Sequence, residues 1–240
     1  MPALLRCYPD EAAVALAAAE FFAKKALAAI DLRGVFRVAI SGGATPLATY
    51  RLLASPVSVG LPWSKIHVYW VDERYVPADS AESNYRMARE SWLSHVPIPA
   101  ENIHPMLTLG GDPSVGAAAY EAALRIDFPE QPWPRFDLVL LGLGGDGHTA
   151  SLFPGDAALM EKRRWVCAAY SPVGVRSRIT LTLPVLNRAR LRMCLVCGRG
   201  KADVLRRVIE RETHPLLPAQ LLHRTLYFAD SEAAARLFPD

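Results

Sequence analysis

Short apolar runs rich in β-branched and aromatic residues recur along this chain, each followed by a polar turn and then a helical stretch. That alternation constrains the fold more than any other feature. "VFRVAI" (35–40), "IHVYWV" (66–71) and "FDLVLL" (136–141) read as buried strands, and "RWVCAAYS", "RITLTL", "LRMCLVCG" and "TLYFAD" continue the series. Between them lie helical signals. Asp10 can cap a first helix reaching about residue 30, and a second is expected from Pro46 to Ala54, with proline at its first position. "YRMARESWLSHV", "GAAAYEAALRIDF" (116–128) and "GKADVLRRVIER" read as further helices, with a short last helix after "TLYFAD". "DERYVPADSAESN" reads as a long polar loop. Strands and helices alternating in this way pack as an α/β fold: an open, mostly parallel sheet with helices on both faces, a Rossmann-like three-layer sandwich. The chain of 240 residues shows no internal repeat or low-complexity segment. "PEQPWPR" reads as a surface loop rather than a linker, so one domain over 1–240 is expected.

Charge and cysteine content remove several classes of function. Lys plus Arg (27) barely exceed Asp plus Glu (24), leaving +3 and no broad basic field for nucleic acid. Any anion bound is small and held locally. The four cysteines are scattered, which argues for a reducing, cytoplasmic setting. Cys194 and Cys197 form a C-x-x-C, but on a strand these positions face opposite ways and are read as packing cysteines. "EAAVALAAAEFFAKKALAAI" carries Glu11, Glu20, Lys24 and Lys25, so it is a packed helix and no membrane span is expected. The start, "MPALLRCYPDEAA", lacks a signal-peptide pattern.

"GLGGDGHTASLFPG" (142–155) follows a strand and contains the G-x-G-x-x-G spacing of a dinucleotide turn at Gly142, Gly144 and Gly147. Its context fails that test. Pro154 and Gly155 would interrupt the required helix, and the next strand ends in "CAAYSP" without an acidic residue for a ribose. A Walker loop, a G-x-S-x-G elbow and H-E-x-x-H are absent too. The remaining reading is a catalytic loop: His148 can accept a proton from water, and Asp146 can fix its tautomer. No metal or cofactor is expected. His67, His95, His104, His214 and His223 are read as structural or surface residues.

In open α/β sheets ligands bind beyond the carboxyl ends of the strands, which groups this motif with two other loops. "SGGATP" offers Ser41, Gly42, Gly43 and Thr45 ahead of a helix, which suits either a phosphate cradle or an ordinary tight turn. "DERYVP" offers Asp72, Glu73 and Arg74, able to hold sugar hydroxyls and an anion, although alone such a triplet is more often solvated.

"SGGATP", "VDERYVP" with "SNY" behind it, "LLGLGGDGHTASLFPG", "RITLTLPVLNRAR" and "GKADVL" together resemble the 6-phosphogluconolactonase family over roughly 38–228. That family is related in fold to glucosamine-6-phosphate isomerase. The resemblance implies hydrolysis of a sugar-phosphate lactone in the oxidative pentose phosphate route. It also implies His148 as base beside Asp146, and substrate contacts from Ser41, Gly42, Gly43, Thr45, Asp72, Glu73 and Arg74. Arg178 and Lys201 are implied to bind phosphate; Gly144 and Gly145 are read as substrate-binding, and the glycine backbone of 142–147 or Arg74 could supply donors to the carbonyl oxygen. The isomerases resemble D-G-H-I-A-F-N-E-P, whose Glu stands five residues after the His; here that place is Phe153, which cannot relay a proton. Two rivals stay open: an amino-sugar phosphate isomerase using Asp72, and a non-catalytic sugar-phosphate sensor. A monomer or weak homodimer is expected.

Overall fold

The first helix starts where the sequence places it. In the computed structural model, which describes residues 4–108, 111–129, 131–212 and 214–238, the Asp10 carboxylate accepts a hydrogen bond from Ala13 N–H at 2.8 Å. Such a cap contributes about 1 kcal/mol. The helix, α1 (Glu11–Arg33), follows a strand the sequence reading did not assign, β1 (Leu4–Tyr8). β1 lies at the sheet edge with most of its residues exposed, so it carries no buried pattern to read.

The chain then continues through β2 (Phe36–Ile40), α2 (Ala44–Leu53), β3 (Ile66–Trp70), β4 (Asp72–Arg74), α3 (Asn84–Ser91), β5 (Ile103–His104) and α4 (Pro113–Asp127). The second half comprises β6 (Leu138–Gly142), β7 (Val166–Tyr170), β8 (Ser177–Leu181), α5 (Leu183–Arg188), β9 (Arg192–Val196), α6 (Ala202–Glu210), β10 (Thr225–Asp230) and α7 (Ser231–Ala234). α2 begins two residues before the expected Pro46, and because the first four N–H groups of a helix lack intrahelical acceptors, proline still costs no bond there. α3 is shorter than expected and passes into a 3-10 turn at Leu93–His95. Among the described residues no helix is long and apolar enough to cross a membrane.

Seven strands pair in the order β1-β10-β9-β6-β2-β3-β5, and every pair is parallel. From β1 the crossovers run toward β5; from β5 they turn back through β6 and β9 to β10. Right-handed crossovers therefore lay α1, α2 and α3 on one face, and α4, α5 and α6 on the other. The reversal falls between β2 and β6, where Val38 lies opposite Leu138. The central strands are buried on both sides, with Val38 and Leu138 enclosed on one face and Ala39 and Val139 on the other.

β4 corrects the polar-loop expectation for residues 72–74. It pairs antiparallel with β8, which pairs with β7, forming a separate three-stranded sheet. Asp72 lies opposite Thr180, Glu73 opposite Ile179 and Arg74 opposite Arg178. Non-local pairing makes a strand of a stretch whose own residues carry no strand signal.

Two clusters, one aromatic and buried and one ionic and partly exposed, tie neighbouring elements to β2. Beneath α1, Phe22 meets Phe36 and Trp92 edge-on at 5.3 and 5.6 Å, and Trp92 stacks on Tyr50 at 5.6 Å. The Tyr50 hydroxyl donates to the Ser41 carbonyl at 2.7 Å, tying this packing to the loop after β2. At the start of β2 and β6, Asp137 accepts from Arg37 N–H at 2.9 Å and pairs with Arg33 at 2.7 Å and Arg190 at 3.3 Å. Replacing Asp137 by Ala leaves Arg37 N–H without that acceptor. The unfolding free energy in urea is expected to fall by about 1–3 kcal/mol; an unchanged value would mean that Asp137 does not secure the β2–β6 register.

Candidate active site

The loops after β2, β3, β6 and β9 and the β7–β8 turn surround a cleft of about 690 Å³ beyond the carboxyl ends of the strands. Of the residues the sequence singles out, Ser41, Gly42, Gly43, Thr45, Asp72, Arg74, Gly144, Gly145, Asp146, His148, Arg178 and Lys201 all line it. Only Glu73 does not.

The loop after β6 folds back on itself. Gly144 N–H donates to the His148 carbonyl at 2.8 Å and Gly147 N–H to the Gly144 carbonyl at 3.0 Å, while the Thr149 hydroxyl donates to the Gly142 carbonyl at 3.0 Å. Gly147 has φ +84°, a conformation that suits glycine. This turn brings Asp146 Oδ1 to 2.5 Å from His148 Nδ1, and the same oxygen accepts from His148 N–H at 3.1 Å. Burial pushes the Asp146 carboxyl up, but its contacts with His148 outweigh that and hold it below the usual carboxylate value. With Nδ1 facing a carboxylate, the imidazole proton sits on Nδ1 and the lone pair on Nε2. The Phe153 ring, nearly buried, packs against His148 with centroids 4.6 Å apart. A methyl group at Gly144 would overlap the His148 ring, so only glycine admits this geometry.

Across the cleft, the loop after β2 enters α2 with Gly43 as its N-cap and no side chain capping the first turn. The Ser41 hydroxyl is buried and has no hydrogen-bond partner among the described residues. Gly42 runs so close to the Asn84 side chain that a Cβ would collide with it, and Asn84 Nδ2 donates to the Asp72 carbonyl at 2.9 Å. Asp72 Oδ2 accepts from the Ser151 hydroxyl at 2.6 Å, and both residues are buried.

The cationic side of the cleft is built from Arg74, Arg178 and Lys201. Arg74 and Arg178 are direct partners across the β4–β8 ladder. Like charges placed so are mutually unfavourable. Burial lowers the Arg178 pKa, Arg74 adds to the fall, and Asp72 opposes it. Arg178 Nε donates to the Val175 carbonyl at 2.8 Å, and Arg74 donates to the Glu82 carbonyl at 2.8 Å. Lys201 stands at the start of α6, after β9, and its side chain makes no capping bond. Cys197 forms part of the apolar wall, and burial pushes its thiol up to about 12.

Glu73 corrects the expectation that all of "DER" contacts ligand. It points away from the cleft and is 2 % exposed. Its carboxylate accepts from the N–H groups of Arg74 and Asn84 at 2.7 Å and of Tyr85 at 2.8 Å, and from the Ser83 hydroxyl at 3.2 Å. It therefore caps α3, where a carboxylate also meets the helix dipole favourably. The alternation of a strand would have separated it from its neighbours, because positions 72 and 74 share a face that 73 does not. Sequence reasoning also missed Ser151, Asn84 and Cys197. The first two stand inside quoted motifs, "HTASLFPG" and "SNY", yet nothing local shows that they meet at Asp72 and Gly42.

Residues 9–228 match the family described as glucosamine-6-phosphate isomerases/6-phosphogluconolactonase, and the chain belongs to that family. Within it, the 6-phosphogluconolactonase of Synechocystis is 43 % identical over 217 residues, covering 88 % of both chains. That of Mycobacterium tuberculosis is 38 % identical over 246 residues, covering 99 % of both. The solved 6-phosphogluconolactonase of Trypanosoma brucei superposes with a TM-score of 0.88 at 29 % identity, covering 98 % of this chain and 99 % of its own. A monomeric glucosamine-6-phosphate deaminase reaches 0.80 at 19 % identity, a likeness of fold alone.

Burial pushes the Glu73 carboxyl up to about 7, against the pull of the three N–H groups, with Asp72 adding to the rise. Between 4.5, its ordinary value, and about 7 the folded chain holds a proton that the unfolded chain has lost. Stability therefore falls as pH rises through that window. Glu73→Gln, which sets an amide NH2 against these donors, is expected to cost about 1–3 kcal/mol and to lose that pH slope. Urea denaturation at pH 5 and pH 8 measures both, and an equal slope in the two proteins would remove Glu73 as its source.

Proposed function

We propose that this chain hydrolyses the ring ester of 6-phospho-D-glucono-1,5-lactone to 6-phospho-D-gluconate. The observation that carries this reading is the Asp146–His148 pair at 2.5 Å, opening onto a cleft that also holds Arg178 and Lys201. The chain is thus a carboxylic ester hydrolase acting on a sugar phosphate, in keeping with the names of its relatives in Synechocystis and Mycobacterium tuberculosis.

His148 Nε2 takes a proton from a water molecule while Asp146 stabilises the imidazolium that forms. The water oxygen bonds to C1, and the carbonyl oxygen becomes an oxyanion. Among the described residues the Gly144, Gly147 and His148 N–H groups are already committed, whereas Gly145 N–H makes no bond to the protein. Gly145 N–H and the Arg74 guanidinium are the donors proposed for the oxyanion. On collapse the bond from C1 to the ring oxygen breaks, and His148 returns its proton to that oxygen. The new carboxylic acid then ionises to solvent. General base catalysis of this kind contributes roughly 10²–10⁴-fold, and one oxyanion donor roughly 10²–10³-fold.

The phosphate carries close to two negative charges at neutral pH. Arg178 and Lys201 bind it, and its arrival offsets the repulsion that Arg178 and Arg74 exert on each other. Ser41 and the free N–H groups of the first turn of α2 face the sugar hydroxyls, with Asp72 as an acceptor. For isomerisation, the fifth residue after His148 would have to relay a proton. Here it is Phe153, which instead covers one side of the imidazole.

The decisive assay is acid release from freshly generated lactone, corrected for spontaneous hydrolysis in the same buffer. Acceleration by the wild-type protein is expected; none from a folded sample would overturn the reading and send the test to glucosamine 6-phosphate. His148→Ala is expected to lower kcat by about 10²–10⁴-fold with little change in KM. Arg178→Ala and Lys201→Ala are expected chiefly to raise KM; unchanged KM in both would place the phosphate elsewhere.

A further inference from the structure

The turn between Gly144 and His148 is closed largely by its own bonds, yet at Gly147 a contact comes from a distant segment. Ala219 N–H donates to the Gly147 carbonyl at 3.0 Å. Gly147 is the residue between Asp146 and His148. The Leu217 side chain, 3 % exposed, packs directly on it: a Cβ at Gly147 would lie 2.8–3.0 Å from Leu217 carbons. The pair is thus backed by an aliphatic side chain and one backbone bond from the connection between α6 and β10.

Within that connection, the Gln220 side chain reaches several backbone groups at once. Gln220 Oε1 accepts from Leu217 N–H at 2.7 Å, and its Nε2 donates to the carbonyls of Arg207 at 3.0 Å and Glu212 at 2.8 Å. Three backbone groups on both sides of the turn are satisfied by one amide. Arg206 and Arg207 pair with Glu212 at 2.6 and 3.2 Å, closing the same turn. Arg207 lies in the last turn of α6, whose first turn follows Lys201. A continuous set of contacts therefore runs from the end of α6 through Gln220 and Leu217 to the peptide that sets the angle between Asp146 and His148.

We infer that Leu217 and Gln220 are positioning residues for the Asp146–His148 pair. Neither lines the cleft; they hold Gly147 in its left-handed turn, which keeps Asp146 Oδ1 on His148 Nδ1 and leaves Nε2 to the water. Small displacements at such a site matter, because an error of about 1 Å in a reacting group can cost about 10²-fold in rate. Binding is unaffected, because the cations that hold the phosphate stand on β8 and at the start of α6.

The inference rests on the lactonase reading for its kinetic arm and on structure alone for its second arm. Leu217→Ala and Gln220→Ala, each checked for folding by circular dichroism, are expected to lower kcat by about 10- to 100-fold with KM within about twofold of wild type. Leu217→Met, which keeps the volume, restores kcat. If the alanine variant of Leu217 does not fold, Leu217→Val is the milder cut with the same expected direction. The second readout needs no turnover: the proton shared by Asp146 and His148 gives a downfield NMR resonance, expected to shift or broaden in the alanine variants and to return in Leu217→Met. Folded alanine variants with wild-type kcat and an unaltered resonance would overturn the inference, as would a loss of kcat that Leu217→Met shares. A wild-type protein inactive on the lactone would sink the function reading, and the resonance would still decide the positioning role.

Discussion

Parallel pairing of β2 with β6 is the constraint on which the rest of the structure depends. Parallel neighbours cannot be joined by a tight turn, so each is reached by a long crossover, and right-handedness ties the direction of travel to the face that the crossing helix covers. Travel reverses between these two strands. Their carboxyl ends therefore carry loops that diverge to opposite faces, and the gap between them becomes the floor of the cleft. The two loops are glycine-rich for a steric reason. Gly42 admits the Asn84 side chain, and Gly144 admits the His148 ring, each where a methyl group would overlap.

Much of this was legible in the sequence, and the omissions share one physical cause. Strands β2, β3, β6, β9 and β10 announce themselves because the large sheet encloses their side chains. β1 is exposed at an edge, β5 is two residues long, and β4 is written in charged residues, so none carries an apolar pattern. The candidate site was readable at its glycine turns and at Asp146 and His148, where a few adjacent residues make the geometry. It was unreadable at Glu73, because whether a carboxylate faces a cleft or caps a helix depends on α3, which begins eleven residues later. Ser151 and Asn84 escaped for the same reason: their partners, Asp72 and Gly42, are supplied by the packing of other loops.

The cleft is electrostatically divided. Asp72 and Asp146 stand with the loops after β3 and β6, while Arg178 and Lys201 stand on β8 and before α6. The antiparallel β4–β8 pairing sets Arg74 against Arg178, a local cost that a dianion offsets. Asp72 accepts from Ser151 and Asp146 from His148, and among the described residues neither carboxylate forms an ion pair with these cations. The cationic side is thereby kept available to a ligand.

The three-stranded sheet gives this arrangement a further property. It joins the large sheet through the chains leaving β3, entering β7 and leaving β8, and it carries Arg178, one of the two cations proposed to hold the phosphate, on a strand separate from the loop that carries Asp146 and His148. Side chains without shared partners contribute nearly additively. The β7–β8 turn, exposed at Pro172, Val173 and Gly174, can vary in length and character without reaching the peptide between Asp146 and His148. A chain built this way is free to change what it recognises while conserving how it activates water, which is the structural condition for one scaffold to acquire new substrates by small steps.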